Sequence, residues 1–178
     1  EASEEEIAGL QDLAGIAMAE IELRHTVNHV DATTGLAHYN QLAEDIDERA
    51  RQDPGVTTQV LSLDLVDFHQ AHTLQLVMGP AYLVELANEA AMVLTEALGQ
   101  RARLYCVGPC RFACIVEGDQ AEALERATVL RDAAMDLQVE DWSPLMVRPV
   151  VGLAPLTLGQ TRVPDALRMA HGAARDAR

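Results

Sequence analysis

Arg103-Leu-Tyr-Cys-Val-Gly-Pro-Cys-Arg-Phe-Ala-Cys-Ile-Val-Glu117 is the stretch on which the fold turns. Arg103–Val107 and Arg111–Glu117 each read as a strand, and Gly108-Pro109-Cys110 between them reads as a hairpin turn. Gly118-Asp119 ends the second strand. A hairpin in the middle of a chain places antiparallel pairing at the centre of whatever sheet forms.

Helical periodicity surrounds the hairpin. Downstream, Ala123, Leu124, Ala127, Leu130, Ala134 and Leu137 mark an amphipathic helix over 120–137. Trp142-Ser-Pro144 reads as a loop, Met146–Ala154 as a strand and Pro164–Arg175 as a last helix, with Pro164 in its first turn. Upstream, residues 71–98 read as helix interrupted around Gly79-Pro80, because proline cannot extend a helix already running before it. Val60, Leu61, Leu63 and Leu65 mark a buried strand over 58–66. Asp53-Pro54-Gly55 breaks a helix over roughly 36–52, and Asp31-Ala-Thr-Thr34 reads as a turn. Helix–strand alternation around a hairpin predicts an α+β fold, not a doubly wound sheet.

Residues 3–30 read as one long helix. Ser3 and Glu6 form a capping-box pattern. Ile7, Leu10, Ala14, Ala17 and Ile21 recur at spacings of three and four, which keeps them on one stripe. Two readings stand: a helix packed on its own domain, or a parallel dimer helix that transmits a signal. Arg24 interrupts the seam. The division is a signalling and dimerisation helix over 1–30 and a domain over 31–178.

Composition bounds the function. Half the 178 residues are apolar, enough for a core, yet aromatics supply only 3%, so Leu, Val, Ala, Ile and Met must build it. Thirteen Lys and Arg stand against 28 acids, for a net charge of −15. Nucleic-acid binding needs clustered cations, so neither nucleic acid nor an anionic membrane is an expected partner. No run of eighteen apolar residues occurs. Three cysteines in one cluster do not make a secreted disulfide framework, which points to a reducing cytoplasm.

Five strings, in order, resemble the GGDEF family of diguanylate cyclases. Asp31-Ala-Thr-Thr34-Gly35-Leu36 is similar to its D-x-L-T-G-L motif. Leu63-Asp64-Leu65-Val66-Asp67-Phe68 is similar to its metal strand, D-I-D-x-F. Tyr105-Cys-Val-Gly108-Pro109-Cys110-Arg111-Phe112 falls where the family has R-Y-G-G-D-E-F. Pro149-Val-Val-Gly152-Leu-Ala154 resembles S-x-G-I-A, and Asp165-Ala166-Leu167 resembles A-D-x-A-L-Y. The resemblance covers about residues 28–176. It implies a nucleotidyl-cyclase-like fold, with a mixed, mostly antiparallel central sheet flanked by helices and preceded by the long N-terminal helix. Leu10-Gln-Asp-Leu13-Ala14-Gly-Ile16-Ala17 is weakly similar to the last helix of a GAF sensor domain.

The resemblance also implies a chemistry that these residues do not support. In an active family member two GTP-loaded domains face each other, and the 3′-hydroxyl of each GTP attacks the α-phosphate of the other. Carboxylates on the metal strand and in the hairpin hold the metal ions that neutralise phosphate charge. Here Asp64 is present, but Cys110 and Arg111 stand where the hairpin's acidic pair would be, and Pro109 replaces its second glycine. A guanidinium at 4 Å from a cation is repelled by about 4 kcal/mol at an effective dielectric near 20. The guanine-reading Asn and Asp are matched by His72 and Ala81. The phosphate-binding Lys is matched by His171, while Arg175 matches the Arg. The feedback motif R-x-x-D is matched by Gly99 and Ala102.

The expected site is therefore a vestige. It comprises Asp64, Phe68 and Arg175 with the altered hairpin Gly108, Pro109, Cys110, Arg111 and Phe112, and holds no catalytic residue and no metal. Asp64 is expected to serve as a cap or hydrogen-bond acceptor. Cys106, Cys110 and Cys114 read as small apolar packing, with Cys106 and Cys114 as cross-strand neighbours or core residues; a metal site would need a fourth ligand. His25, His29, His38, His69, His72 and His171 show no ligand spacing and read as solvated or capping residues.

The function expected is that of a catalytically inactive GGDEF domain. It would relay signals and dimerise within a cytoplasmic, multidomain cyclic di-GMP protein, between a GAF-like sensor and an EAL phosphodiesterase domain. No cofactor is expected, and Mg-GTP binding is not favoured. The alternative is a GTP- or nucleotide-binding allosteric regulator of a neighbouring domain, and the remaining reading a residual nucleotidyl cyclase.

Overall fold

A computed structural model describes residues 29–137 and 147–176. Along the chain come strand β1 (Ala37–His38), helix α1 (Tyr39–Gln52), strand β2 (Thr57–Asp64), helix α2 (Phe68–Met78) and helix α3 (Pro80–Leu98). After a 3₁₀ turn at Gly99–Arg101 follow β3 (Leu104–Gly108), β4 (Arg111–Val116), α4 (Gln120–Met135), β5 (Val150–Thr157) and α5 (Val163–Asp176). The predicted helix over residues 3–30 lies outside the described residues except at His29 and Val30, as does the loop at Trp142-Ser-Pro144.

The hairpin forms where the sequence places it. Its pairing is centred on Pro109, so Cys106 lies opposite Phe112 and Leu104 opposite Cys114. The register shifts between Cys106 and Gly108, leaving Val107 as a bulge. Cys106 and Cys114 are therefore not direct cross-strand partners, although both are buried.

The sheet runs in the order β1-β3-β4-β2-β5. β1 is parallel to β3, and every other neighbouring pair is antiparallel. This is the mixed, mostly antiparallel sheet expected. Alternation along its strands feeds two cores. Leu61, Leu63, Phe112, Cys114 and Val116 pack with Leu86, Leu94 and Leu130 of α3 and α4. Val60, Ala113 and Ile115 pack on the opposite face with Leu42 and Ile46 of α1 and Ala166 of α5. Helices thus cover both faces.

Caps set the helix starts. Asp67 accepts a hydrogen bond from the Gln70 amide at 2.7 Å, and the Asp67 amide donates to Gln70 Oε1 at 3.3 Å, a capping box that opens α2. Asp119 and Glu122 do the same for α4. Gly79, at φ 86°, separates α2 from α3, and Pro80 begins α3.

Two elements differ from expectation. Ala37 and His38 form a short strand, where helix was expected from residue 36; two residues carry too little pattern to distinguish the states. The last strand runs to Thr157, through Pro155, beyond the expected end at Ala154. β5 lies at the sheet edge, where a missing amide donor is tolerated.

Candidate functional site

Asp64 ends β2 with its side chain on the α1/α5 face of the sheet. The residue is 4% exposed, and a buried carboxylate is tolerable only with partners. Arg111 supplies the first. It is the direct antiparallel partner of Asp64, and its Nε donates to Asp64 Oδ1 at 2.6 Å. α5 supplies the second neighbour. His171 Nδ1 lies 2.9 Å from Asp64 Oδ2 but misses hydrogen-bond geometry, so Nδ1 is a buried atom without a hydrogen-bond partner. The other ring nitrogen, Nε2, lies 3.5 Å from a terminal nitrogen of Arg111.

The approach of α5 has a cause in the sequence. A Cβ on Gly152 of β5 would stand 1.9 Å from the Ala170 carbonyl oxygen and 2.6 Å from the Ala174 amide nitrogen. Glycine there, with Ala170 and Ala174 fully buried, lets the helix backbone lie on the sheet. His171 follows Ala170 and is brought to Asp64.

A cleft of about 410 Å³ opens beside this cluster, lined by Asp64, Asp67, His69, Arg111, His171 and Arg175, with Val66. Arg175 sits one helical turn beyond His171, so both point to the same side. Among the described residues no carboxylate pairs with Arg175. The structure thus brings together Asp64, Arg111, His171 and Arg175 from three elements. Phe68 opens α2, and its side chain is outside those described.

The hairpin divides into parts with different duties. Phe112 is fully buried in the α3/α4 core, which makes it a packing residue. Cys110 has φ 52°, a left-handed conformation that costs a residue with a Cβ. Its thiol is buried and donates to the Leu83 carbonyl at 3.7 Å. Burial, with the neighbouring Cys106, pushes the Cys110 thiol up to about 11; burial pushes the Cys114 thiol up to about 12 against the opposing charge of Arg126. All three cysteines are free thiols.

A smaller cleft, about 250 Å³, lies against the hairpin turn between Asp31, Thr34, His38, Val84, Cys106 and Pro109. Burial pushes the Asp31 carboxyl up, but hydrogen bonds from Thr34, Cys106 and Thr33 outweigh it and hold the group below its ordinary value. His72 and Ala81, the positions matching the guanine readers, are exposed and line neither cleft.

The residues around Asp64 do not fit a divalent cation. One carboxylate oxygen is taken by a guanidinium, the other faces an imidazole nitrogen, and the hairpin offers a cation where a ligand is needed. Among the described residues no group of three His, Cys, Asp or Glu side chains could hold a metal ion.

Sequence reasoning missed the contact of His171 with Asp64, which depends on the close approach at Gly152. It also missed Asp67 as a cap, although Asp67-x-x-Gln70 carries that signal. A third omission is Asp45 of α1, which accepts hydrogen bonds from Gln41 at 2.7 Å, Arg103 at 3.1 Å and the Tyr105 hydroxyl. These tie α1 to β3. Burial first, then the Asp45 carboxylate, pushes the Tyr105 hydroxyl well up.

No protein-family model matches the chain. It is similar to the cyclic di-GMP phosphodiesterase PA2567 of Pseudomonas aeruginosa, 28% identical over 184 residues. That match covers 99% of this chain and 30% of the relative, so the chain spans under a third of that protein's length. Among solved structures, the GGDEF domain of PA2567 from Pseudomonas aeruginosa superposes with a TM-score of 0.68 at 25% identity, covering 79% of this chain and 88% of that one. The diguanylate cyclase SiaD of the same organism, in complex with its activator SiaC, gives a TM-score of 0.73 at 22% identity, covering 97% of this chain and 67% of that one. The chain thus has the fold of the GGDEF domains, that of the diguanylate cyclases.

Proposed function

We propose that this is a GGDEF domain without cyclase activity, serving as a relay and dimerisation module in a multidomain cyclic di-GMP signalling protein. The observation that carries this reading is the Arg111–Asp64 pair at 2.6 Å, which places a fixed cation where the cyclase reaction needs a metal ion. The similarity of the chain to 30% of a cyclic di-GMP phosphodiesterase supports a larger parent protein with a phosphodiesterase domain. In this reading a GAF-like sensor precedes the domain and an EAL phosphodiesterase domain follows it. The apolar stripe Ile7, Leu10, Ala14, Ala17 and Ile21 supports a homodimer through the N-terminal helix. A relay needs only two arrangements of such a helix pair with different outputs. The net charge of −15 argues against nucleic acid and anionic membrane as partners, and the free thiols suit the cytoplasm. Among the described residues no helix is long and apolar enough to cross a membrane.

Incubation of the chain with GTP and Mg²⁺, followed by chromatography, tests the reading: no cyclic di-GMP forms. Product above the protein-free blank contradicts it.

A second reading, a nucleotide-binding regulator of a neighbouring domain, is favoured by the two clefts beside the hairpin and by Arg175, which no described carboxylate neutralises. No cofactor is required by either reading.

A further inference from the structure

We infer that two copies of this domain meet through an uncharged apolar face at the junction of α2 and α3, where Leu76, Val77 and Val84 of one copy pack against the same residues of the other. The inference rests on the dimer proposed above and names a second surface through which its two copies touch.

Charge marks the face. In a chain that is 23% charged and carries −15, residues 68–84 hold no Asp, Glu, Lys or Arg, and no other uncharged run is as long. The two longest runs after it, 149–161 and 32–43, contain β5 and β1 and are used within the sheet. Residues 68–84 instead form α2 and the start of α3, and none of the described side chains of α2 is buried. Leu74 and Met78 pack against the core of the domain. Leu76 and Val77 fall outside that helix face, at 72% and 74% exposed the most exposed large apolar side chains among the described residues. Val84, 47% exposed, stands four residues into α3, just past the Gly79-Pro80 junction. A surface helix ordinarily turns such residues inward, and a cluster left outside marks an interaction surface.

A second copy fits this face for two reasons. A two-fold contact sets a surface against itself. The uncharged window accepts that arrangement, whereas the bordering Glu85 and Glu89 of α3 would set acid against acid. The window also lies beside the place where residues 1–30 join the domain, since Val84 and Leu83 line one cleft with Asp31, Thr33 and Thr34. Paired helices run about 10 Å apart, so in the proposed parallel dimer the surfaces beside Asp31 are close to the partner.

Sedimentation equilibrium and cross-linking of the whole 178-residue chain test the inference. The chain dimerises, and Leu76→Asp with Val77→Asp weakens the dimer by about tenfold or more without lowering the melting temperature of the domain. Val77→Cys is joined to the partner by a short bismaleimide, the three native thiols being buried. Met92→Cys, equally open to solvent but set between Glu89 and Glu96, is not joined. A dimer unchanged in the double aspartate variant, or no cross-link at position 77, overturns the inference and leaves the N-terminal helix dimer standing. A dimer that survives Leu10→Asp but fails in the double aspartate variant sustains the inference and removes the helix dimer. A wild-type chain that stays monomeric overturns both.

Discussion

Arg111 and Asp64 face each other across adjacent antiparallel strands, joined by a 2.6 Å hydrogen bond from Nε to Oδ1. The pair joins strand to hairpin and satisfies a buried carboxylate; in the proposed reading it also takes the position from which a metal would be held.

Breaking one side of the pair should cost more than removing both. Arg111→Met leaves Asp64 buried without its donor and should lower stability by about 1–3 kcal/mol, toward the lower figure because solvent reaches the guanidinium. Adding Asp64→Asn should recover much of the loss. Urea denaturation, read from the midpoint at unchanged slope, measures both.

α5 depends on a missing side chain. Gly152→Ala places a methyl 1.9 Å from the Ala170 oxygen, so the helix must move. A loss of about 1–3 kcal/mol is expected from such overpacking. The His171 ring resonances should shift in the same variant, because the imidazole moves away from Asp64.

At the hairpin tip the usual order of alanine and glycine should invert. Cys110 has φ 52°, where a Cβ costs roughly 1–2 kcal/mol. Cys110→Gly should be more stable than Cys110→Ala by about 1 kcal/mol, since both lose the thiol and glycine alone loses the strain. Equal stability in thermal melts would show the strain to be absent.

The thiols give the chain an alkaline limit. Burial raises Cys110 to about 11 and Cys114 to about 12 from an ordinary value of 9.0. The folded state therefore keeps protons that the unfolded state releases. Their contribution is complete below pH 9 and is lost as pH rises through about 11 and 12. A thiol reagent at pH 8 should react slowly with the native chain and rapidly with three groups after denaturation.

Much of the fold was legible because local signals agreed with one another. The hairpin, the break at Gly79-Pro80 and the starts of α4 and α5 each rest on a few adjacent residues. The two-residue strand β1 and the passage of β5 through Pro155 depend on neighbours in the sheet, which no local pattern encodes. Asp64, Arg111 and Arg175 could be named singly from the order of motifs. Their meeting with His171 depends on how closely α5 approaches β5. Phe112 belongs to the hairpin signature and also serves the core, a duty that only the packing of α3 and α4 reveals.

The central claim is that Arg111 has displaced the metal from Asp64. The most direct measurement is a Mn²⁺ titration of the full chain followed by electron paramagnetic resonance. The account predicts that all added Mn²⁺ remains free at stoichiometric protein. A saturable site of one ion per chain, abolished by Asp64→Asn, would contradict it.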